Sequence, residues 1–515
     1  MPEQYRALAF ILTIAFFSFF FLKKIIEPQN SPNQFKSWRN TWLTITLIAF
    51  LANSFWIYIV IAGILLWFIA KKEDNKLALF FAILFAVPMI NVNIPAMGLI
   101  NFLFSINYAR LLSFAILLPA YLVLRTKPDT LSFGKNWPDK ILMTYMVLSV
   151  VLLLRGTSFT NMIRGTLYSF TDIFLPYYVA SRGIKDLKQL KEVMVAYLFA
   201  SILVGAFAIF EFGRHWLLFS SLPGAWEINW EMGGYLNRGG NLRAVVSLGQ
   251  PIVLGYVMML ALGLYLFLAN FTKSKILYIF GLILILAGLY VPLSRGPWVG
   301  AIALITIFIA TGPSAIKRLT ISVVTLLFFL PILGKIPGGQ KIMSLIPFVG
   351  NANTGTVDYR VNLLDNSLIV FKNNPMLGSV NYRDDLANMG MIQGEGIVDI
   401  VNSYLEIVLR NGLVGLTLFL VFFSLIILAI HKSMRKINDK KSQKYLFGRT
   451  LISCIIGILV TIFTVSSIQL IPIIYWAFAG LGITYVRLAS MEVGNSPANS
   501  TEKPVLPTFR LAIKT

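Results

Sequence analysis

Residues 403–430 read SYLEIVLRNGLVGLTLFLVFFSLIILAI. As a helix, a run of this length crosses the ~30 Å hydrocarbon core of a bilayer, which takes about 20 residues. Its first turns nevertheless carry Glu406 and Arg410, four residues apart, a spacing that lets two side chains meet on one helix face. Charged residues inside a span usually face a cavity or each other. The stretch predicts a membrane helix with a polar head, in which Glu406 and Arg410 form either a structural ion pair or substrate contacts.

Apolar runs of this kind recur along the whole chain. With 57% hydrophobic and 13% charged residues, the composition excludes a soluble globular protein. The length and continuity of the runs favour helices over a β-barrel. We therefore expect an all-α polytopic integral membrane protein with about 12–15 transmembrane helices and one large periplasmic loop. The region 40–70 is either one kinked helix or a tight pair of helices.

Two outer segments are too long to be simple connections. They are 213–243 and 335–402, and long loops in compact proteins tend to be functional. The expected organisation is residues 1–334 as transmembrane helices that include the loop 213–243, residues 335–402 as a large extracytoplasmic loop, residues 403–487 as C-terminal transmembrane helices, and residues 488–515 as a disordered cytoplasmic tail. A helical pattern over 358–373 indicates that the large loop folds as a small cap.

The net charge of +22 is mainly a topology signal rather than a sign of nucleic-acid binding. Placing the basic loops in the cytoplasm assigns them 30 of the 44 lysines and arginines, mostly lysine, with the N-terminus outside. Of the 14 that remain outside, 11 are arginine. Arginine offers a planar fork that suits phosphate and carboxylate, so the outer face is expected to bind an anionic ligand.

Several functional classes are excluded by missing motifs. The sequence has no phosphate-binding loop, no dinucleotide fingerprint, and no HExxH or CxxC spacing. The histidines are His215 and His431 and the single cysteine is Cys454, so a histidine-rich metal site and an internal disulfide are both excluded. We expect no nucleotide, metal or other cofactor. The missing nucleotide-binding motifs also argue against an ATP-driven pump.

Four short pieces fall on the outer face under this topology. They are RAVVSLGQP (243–251), LSRGPWVG (293–300), the loop pieces DYR (358–360) with NPMLG (374–378), and GEGIVDIVNSYLEIVLRNGLVG (394–415). Together they resemble the O-antigen ligase and Wzy-type polymerase superfamily over about residues 240–430, most closely its exopolysaccharide and O-antigen polymerase branch. The resemblance implies a GT-C-like fold in the bacterial inner membrane, with its active site on the periplasmic face. It also implies transfer of glycan from undecaprenyl diphosphate to an acceptor hydroxyl, with inversion and without a metal.

The resemblance carries residue roles onto this sequence. By family position, Arg243 and Arg295 are expected to be catalytic ligands of the diphosphate, with Arg360 as a third arginine. Ligases of the family carry histidine where this chain has Val401, and often a second one where it has Gln250. The general base must then be an outer carboxylate or His215. Asp399 is the first candidate, although its position also suits a helix cap, and the remaining expected substrate contacts are Asp358, Arg383, Glu395, Asn402, Tyr404 and Arg410.

The leading hypothesis is a polymerase that joins repeat units on undecaprenyl diphosphate, working in the lipid bilayer beside a chain-length regulator and a flippase. A ligase that passes finished glycan to lipid A–core is the alternative enzyme, and the missing histidine argues against it. A lipid-linked oligosaccharide flippase is the alternative of another class, but its charges would lie along a central path. Arg164 and Asp172, eight residues apart on one expected helix face, either join helices or contact the lipid diphosphate.

Overall fold

The computed structural model describes residues 2–26, 31–98, 100–228, 230, 233–272, 274–333, 335, 354–393 and 396–491. Within these ranges, eight helices are long and apolar enough to cross a membrane, which confirms the all-α polytopic class. The number of 12–15 spans and the domain boundaries stay predictions. The eight helices are Glu3–Ile26, Phe55–Lys72, Tyr108–Thr126, Leu187–Arg214, Pro251–Leu268, Ser403–Arg435, Gln443–Ile462 and Leu470–Met491.

Shorter and less apolar elements fill the space between these spans. The region 40–70 is a pair of helices, since Pro32–Leu51 ends before Phe55–Lys72 begins and the two pack together. A π turn at Phe170–Phe174 joins Phe159–Ser169 to Leu175–Arg182. The other helices are Lys76–Ile83, Trp137–Leu153, Ser221–Ala225, Lys275–Tyr290, Arg295–Ala310, Ala315–Leu333, Thr354–Asn373 and Tyr382–Asn388. The strands of the described residues are two short antiparallel hairpins, Val92–Pro95 with Phe102–Ile106 and Asn237–Arg238 with Asn241–Leu242.

The centre of the molecule is a bundle of nearly fully buried helices, with Leu187–Arg214 and Pro251–Leu268 among them. Arg295–Ala310 packs on Gln443–Ile462 through small residues: a side chain at Gly300 would overlap Thr461, and one at Gly296 would meet Thr464. Small residues four apart let two membrane helices approach closely. Peripheral helices such as Phe55–Lys72 instead expose apolar side chains on one side, as expected of surfaces that face lipid.

The large loop has an apolar core of its own. Its predicted helical piece is confirmed, as part of Thr354–Asn373. This helix and Tyr382–Asn388 share an apolar cluster with the residues that lead into Ser403–Arg435, and Val401 packs against that cluster. The cluster consists of Leu363, Val370, Tyr382, Leu386, Met391, Val398, Ile400 and Leu409. The loop is therefore folded onto the head of the helix that follows it.

The helix Ser403–Arg435 is broken at Gly412, whose φ of 68° and ψ of −171° are not helical. The loop 374–379 closes the break: the Leu413 amide donates to the Pro375 carbonyl at 2.9 Å, and the Ser379 amide donates to the Leu409 carbonyl at 2.8 Å. A side chain at Gly412 would overlap the Met376 carbonyl. Backbone groups freed inside a membrane helix need partners of this kind. We refer to Ser403–Arg435 as the broken helix below.

Candidate active site

Arg243 lies on the turn that precedes Arg295. Arg243 follows the hairpin Asn237–Leu242, and its Nε donates to the Pro292 carbonyl at 3.0 Å while its Nη2 donates to the Ser294 hydroxyl at 2.8 Å. Ser294 immediately precedes the helix Arg295–Ala310, so its contact with Arg243 fixes one predicted diphosphate ligand beside the other. Arg238 from the same hairpin donates to the Leu293 carbonyl at 2.6 Å. Three arginines thus come together around residues 292–295.

Glu211 holds this hairpin in place and was missed by the sequence analysis. It is fully buried near the end of Leu187–Arg214, and its carboxylate accepts the Leu218, Val245 and Val246 amides at 2.9, 3.1 and 2.9 Å. The carboxylate therefore fixes the backbone two residues after Arg243. A glutamate inside a 28-residue apolar helix was the available signal, because ionisable residues in spans are usually functional.

Arg360 and Asp399 approach the same place from the large loop. Partial burial lowers the pKa of Arg238, and the nearby charges of Arg295 and Arg360 act in the same direction. Partial burial also lowers the pKa of Arg360; Asp399 opposes this shift and Arg295 adds to it. The guanidinium groups of Arg238 and Arg360 nevertheless stay protonated, since arginine does not lose its proton in proteins. We call Arg238, Arg243, Arg295 and Arg360 the arginine cluster.

Asp399 is oriented by hydrogen bonds from a segment that the sequence analysis also missed, Thr464–Ser467. The Ser466 hydroxyl donates to Asp399 Oδ1, with 2.5 Å between the oxygens, and Arg360 Nη2 donates to the Thr464 carbonyl at 3.3 Å. The Tyr359 hydroxyl donates to the Asp399 backbone carbonyl at 2.9 Å. Asp399 does not cap the broken helix, because Asn402 takes that position. The carboxylate is thus fixed beside the arginine cluster.

A second group of charges lies on the loop side of the broken helix. Arg383 Nη2 donates to Glu406 Oε1 at 2.6 Å, and the Tyr382 hydroxyl donates to the same oxygen at 3.2 Å. Burial raises the pKa of Tyr382 to about 12, so it remains a donor. The expected Glu406–Arg410 pair is therefore wrong: Arg383, brought in by the folded loop, occupies the carboxylate, and Arg410 is exposed one turn further on. Arg383, Glu406 and Arg410 form the second charged group.

The other residues predicted to contact the substrate either make contacts within the protein or show no contact with the arginine cluster among the described residues. The Asn402 side chain accepts the Tyr404 and Leu405 amides at 2.9 and 3.2 Å, and the Tyr404 hydroxyl donates to the Leu459 carbonyl at 2.9 Å. Asp358 is exposed on the loop helix Thr354–Asn373, whereas Glu395 lies outside the described residues. His215 is exposed in a left-handed conformation at the end of its helix. Their roles in substrate binding stay predictions.

Arg164 and Asp172 both contact the segment 102–110. Asp172 pairs with Arg110, at 2.9 Å between Nη2 and Oδ2. Arg164 donates to the Leu103 carbonyl at 2.9 Å, and the Tyr168 hydroxyl between them accepts the Ser105 amide at 2.7 Å. The two side chains therefore lie on one side of their helix, as their spacing predicts, and join it to the segment 102–110. Contact with the lipid diphosphate stays a prediction.

The family model described as Wzy_C, O-Antigen ligase, matches residues 258–420. The chain carries an O-antigen ligase domain. The match supports the resemblance of this region to the O-antigen ligase/Wzy superfamily, whose members are enzymes that act on lipid-linked glycans. The Wzy_C match contains Arg295, Arg360, Asp399 and the break at Gly412, while Arg243 lies outside it. A search of the curated proteins gave no match.

Proposed function

We propose that this Wzy_C protein is a polysaccharide polymerase that joins repeat units carried on undecaprenyl diphosphate, with its active site on the periplasmic face of the inner membrane. The observation that carries the proposal is the arginine cluster beside Asp399. Several guanidinium groups held close together in a partly buried place repel one another, and a bound diphosphate would relieve that repulsion. The cluster lies at one face under the topology given by the basic loops, which favours chemistry there over transport along a central path.

In the proposed reaction, an acceptor sugar hydroxyl attacks the anomeric carbon of the donor glycan. The bond between that carbon and the diphosphate oxygen breaks with inversion, and the electron pair leaves with the diphosphate. Arg243 and Arg295, with Arg360, stabilise the developing negative charge, an effect worth several kcal/mol in a site that excludes water. Asp399 accepts the hydroxyl proton as general base. Ser466 orients the carboxylate for that transfer.

Polymerase is favoured over ligase by two features. The position at which ligases of the family carry histidine is Val401, which packs against the apolar core of the loop and cannot accept a proton. The second feature is the second charged group. A polymerase condenses two lipid diphosphates, so it needs two anion sites, whereas a ligase binds one lipid diphosphate and a different acceptor. We assign Arg383 and Arg410 to the diphosphate of the second substrate.

The experiment is polymerisation by the purified protein in nanodiscs, using undecaprenyl-diphosphate-linked repeat units and measuring glycan length on the carrier. Arg295→Ala and Asp399→Asn are expected to leave single repeat units, with a loss of about 100-fold or more in rate. Arg214→Gln is the matched control, because Arg214 is an exposed arginine on the same expected face, outside both charged groups. The control is expected to produce chains of wild-type length.

Cells that carry the same variants separate the alternatives. Single units that reach the outer face but are not joined support the polymerase. Full-length glycan that stays on the carrier would identify a ligase, and loss of flipping itself would identify a transporter. Chains of wild-type length made by Arg295→Ala would contradict the assignment of the arginine cluster.

A further inference from the structure

A cavity of about 430 Å³ lies outside the residues matched by the Wzy_C family, at the expected cytoplasmic ends of the N-terminal helices. It is bordered by the end of Phe55–Lys72, the start of Lys76–Ile83, the end of Leu118–Thr126 and the residues after Leu175–Arg182. Its charged lining consists of Lys71, Glu73, Asp74, Lys76, Lys127 and Lys185. Small-molecule sites commonly have volumes of about 300–1,000 Å³, so the cavity is large enough for a ligand.

The lining has an excess of positive charge, with four lysines against two carboxylates. One carboxylate is already engaged, because the Ser37 hydroxyl donates to Glu73 at 3.2 Å. Partial burial lowers the pKa of Lys76, and the charge of Lys127 acts in the same direction, while Glu73 and Asp74 oppose the shift. The Lys76 ammonium donates to the Glu73 carbonyl, so it is held at the cavity wall. Lys127 adds a like charge to the same cavity, and an anion between the two lysines would offset their mutual repulsion.

The rest of the cavity wall is apolar and continues onto the lipid-facing surface. Pro119, Ala120, Val123 and Leu124 form one wall, and Trp67 forms another. Val123 and Trp67 are exposed on their helices, and their sequence neighbours Leu122 and Phe68 are exposed apolar residues as well. The Lys71 ammonium lies 3.3 Å from the centre of the Trp67 ring, at the level where apolar side chains give way to lysines. Such a border of aromatic and basic residues is typical of the membrane–water interface.

We infer that this cavity binds the phosphate head group of an anionic glycerophospholipid, such as phosphatidylglycerol or cardiolipin. The phosphate lies between Lys76 and Lys127, with Lys71 and Lys185 at the rim, and an acyl chain follows the wall that contains Val123. Basic pockets between membrane helices on the cytoplasmic side suit such lipids. The site is separate from the arginine cluster and does not depend on the proposed polymerase activity.

The test is native mass spectrometry of the full-length protein released from nanodiscs that contain phosphatidylcholine with phosphatidylglycerol or cardiolipin. The double variant Lys76→Gln with Lys127→Gln is compared with Lys440→Gln and Lys441→Gln, which remove the same charge from an exposed loop on the same expected side. Each lysine near an anionic lipid contributes about fivefold in affinity, so the first variant should lose retained lipid by about 25-fold. The loop variant should retain lipid like the wild type.

Equal retention of anionic lipid by the wild type and the Lys76/Lys127 variant would overturn the inference. A second arm tests the source of the phosphate. In nanodiscs of phosphatidylcholine alone, inorganic phosphate at millimolar concentration is expected to leave the melting temperature of the protein unchanged. If inorganic phosphate raises that temperature in the wild type and not in the Lys76/Lys127 variant, the cavity belongs to a soluble phosphate compound, and the lipid assignment is wrong.

Discussion

Arginine occurs in two contrasting settings in this molecule. The side chains of Arg182 and Asp139 are both 0% exposed, with 2.5 Å between Nη2 and Oδ2. Asp139 also accepts the Tyr177 hydroxyl at 2.7 Å and the Gly134 amide at 3.2 Å, and Arg182 donates to the Leu131 carbonyl at 3.0 Å. The positive charge there is balanced within the protein. In the arginine cluster, by contrast, the charges of Arg295 and Arg360 both act to lower the pKa of Arg238, and the nearby carboxylate of Asp399 opposes the shift of Arg360.

The contrast separates an arginine whose charge is balanced within the fold from arginines that, under the proposed function, bind an anion. A buried ion pair with both partners present needs nothing further, whereas crowded like charges cost free energy until a ligand arrives. In the sequence, the two kinds of arginine look alike, because each lies near the end of an expected helix. Their neighbours in space distinguish them.

Replacing one partner of the buried pair is expected to have the largest effect. Arg182→Met leaves Asp139 charged and unpaired, and removing one partner of a buried pair costs about 3–5 kcal/mol. The readout is the fraction of protein that remains monodisperse in detergent after heating. Arg295→Met makes the same change in the arginine cluster, and there we expect a clearly smaller loss of stability, because the change also removes a charge that acts against Arg238 and Arg360. Equal destabilisation by both variants would remove the distinction between the two settings.

Gly412→Ala tests the break that fixes the loop onto the broken helix. A backbone with φ 68° and ψ −171° costs a side chain about 1–3 kcal/mol, and overlap with the Met376 carbonyl adds about 1–3 kcal/mol. We expect lower thermal stability together with loss of polymerisation, since the loop carries Arg360 and Asp399. Gly390→Ala is the control: its φ is also positive, at 77°, but a methyl group there meets nothing within 4 Å. If both variants behave alike, backbone strain alone explains the effect and the contact with the loop is unimportant.

Ser466→Ala is expected to have the smallest effect of the three. Loss of the hydrogen bond to Asp399 Oδ1 should lower kcat by about tenfold, roughly 1.4 kcal/mol, because the carboxylate is less well oriented. KM and thermal stability should change little. Ser466→Thr keeps the hydroxyl and should restore most of the rate. A fall in stability without a change in kcat, or no recovery with threonine, would show that Ser466 only supports the fold.

The class of fold followed from local patterns, and the residues of the candidate site followed from the family resemblance. Apolar runs predict membrane helices because backbone groups in lipid must be paired within the segment. The motif residues Arg243, Arg295, Arg360 and Asp399 do come together, through contacts such as Arg243 with Ser294 and Ser466 with Asp399. Those contacts join residues far apart in the chain, which is why Ser466 and the role of Glu211 did not emerge from the sequence.

Spacing alone failed where another element packs against a helix. The spacing of Glu406 and Arg410 predicts a pair on a regular helix, yet Glu406 pairs with Arg383 from the folded loop. The spacing of Arg164 and Asp172 did place both side chains against the segment 102–110, but it could not identify Arg110 as the partner of Asp172. Spacing rules describe isolated helices, so they do not identify partners that other elements supply.

The most direct test of the central claim is the affinity of the protein for undecaprenyl diphosphate. It is measured in nanodiscs for the wild type, Arg295→Gln and Arg214→Gln, together with the melting temperature of each without ligand. A charge-assisted hydrogen bond is worth about 1.5–3 kcal/mol, so we predict binding about 10- to 100-fold weaker for Arg295→Gln, while the melting temperature reports any loss of the protein's own contacts with Arg295. Arg214→Gln should bind like the wild type. Wild-type affinity in Arg295→Gln would contradict the claim that the arginine cluster binds the lipid diphosphate.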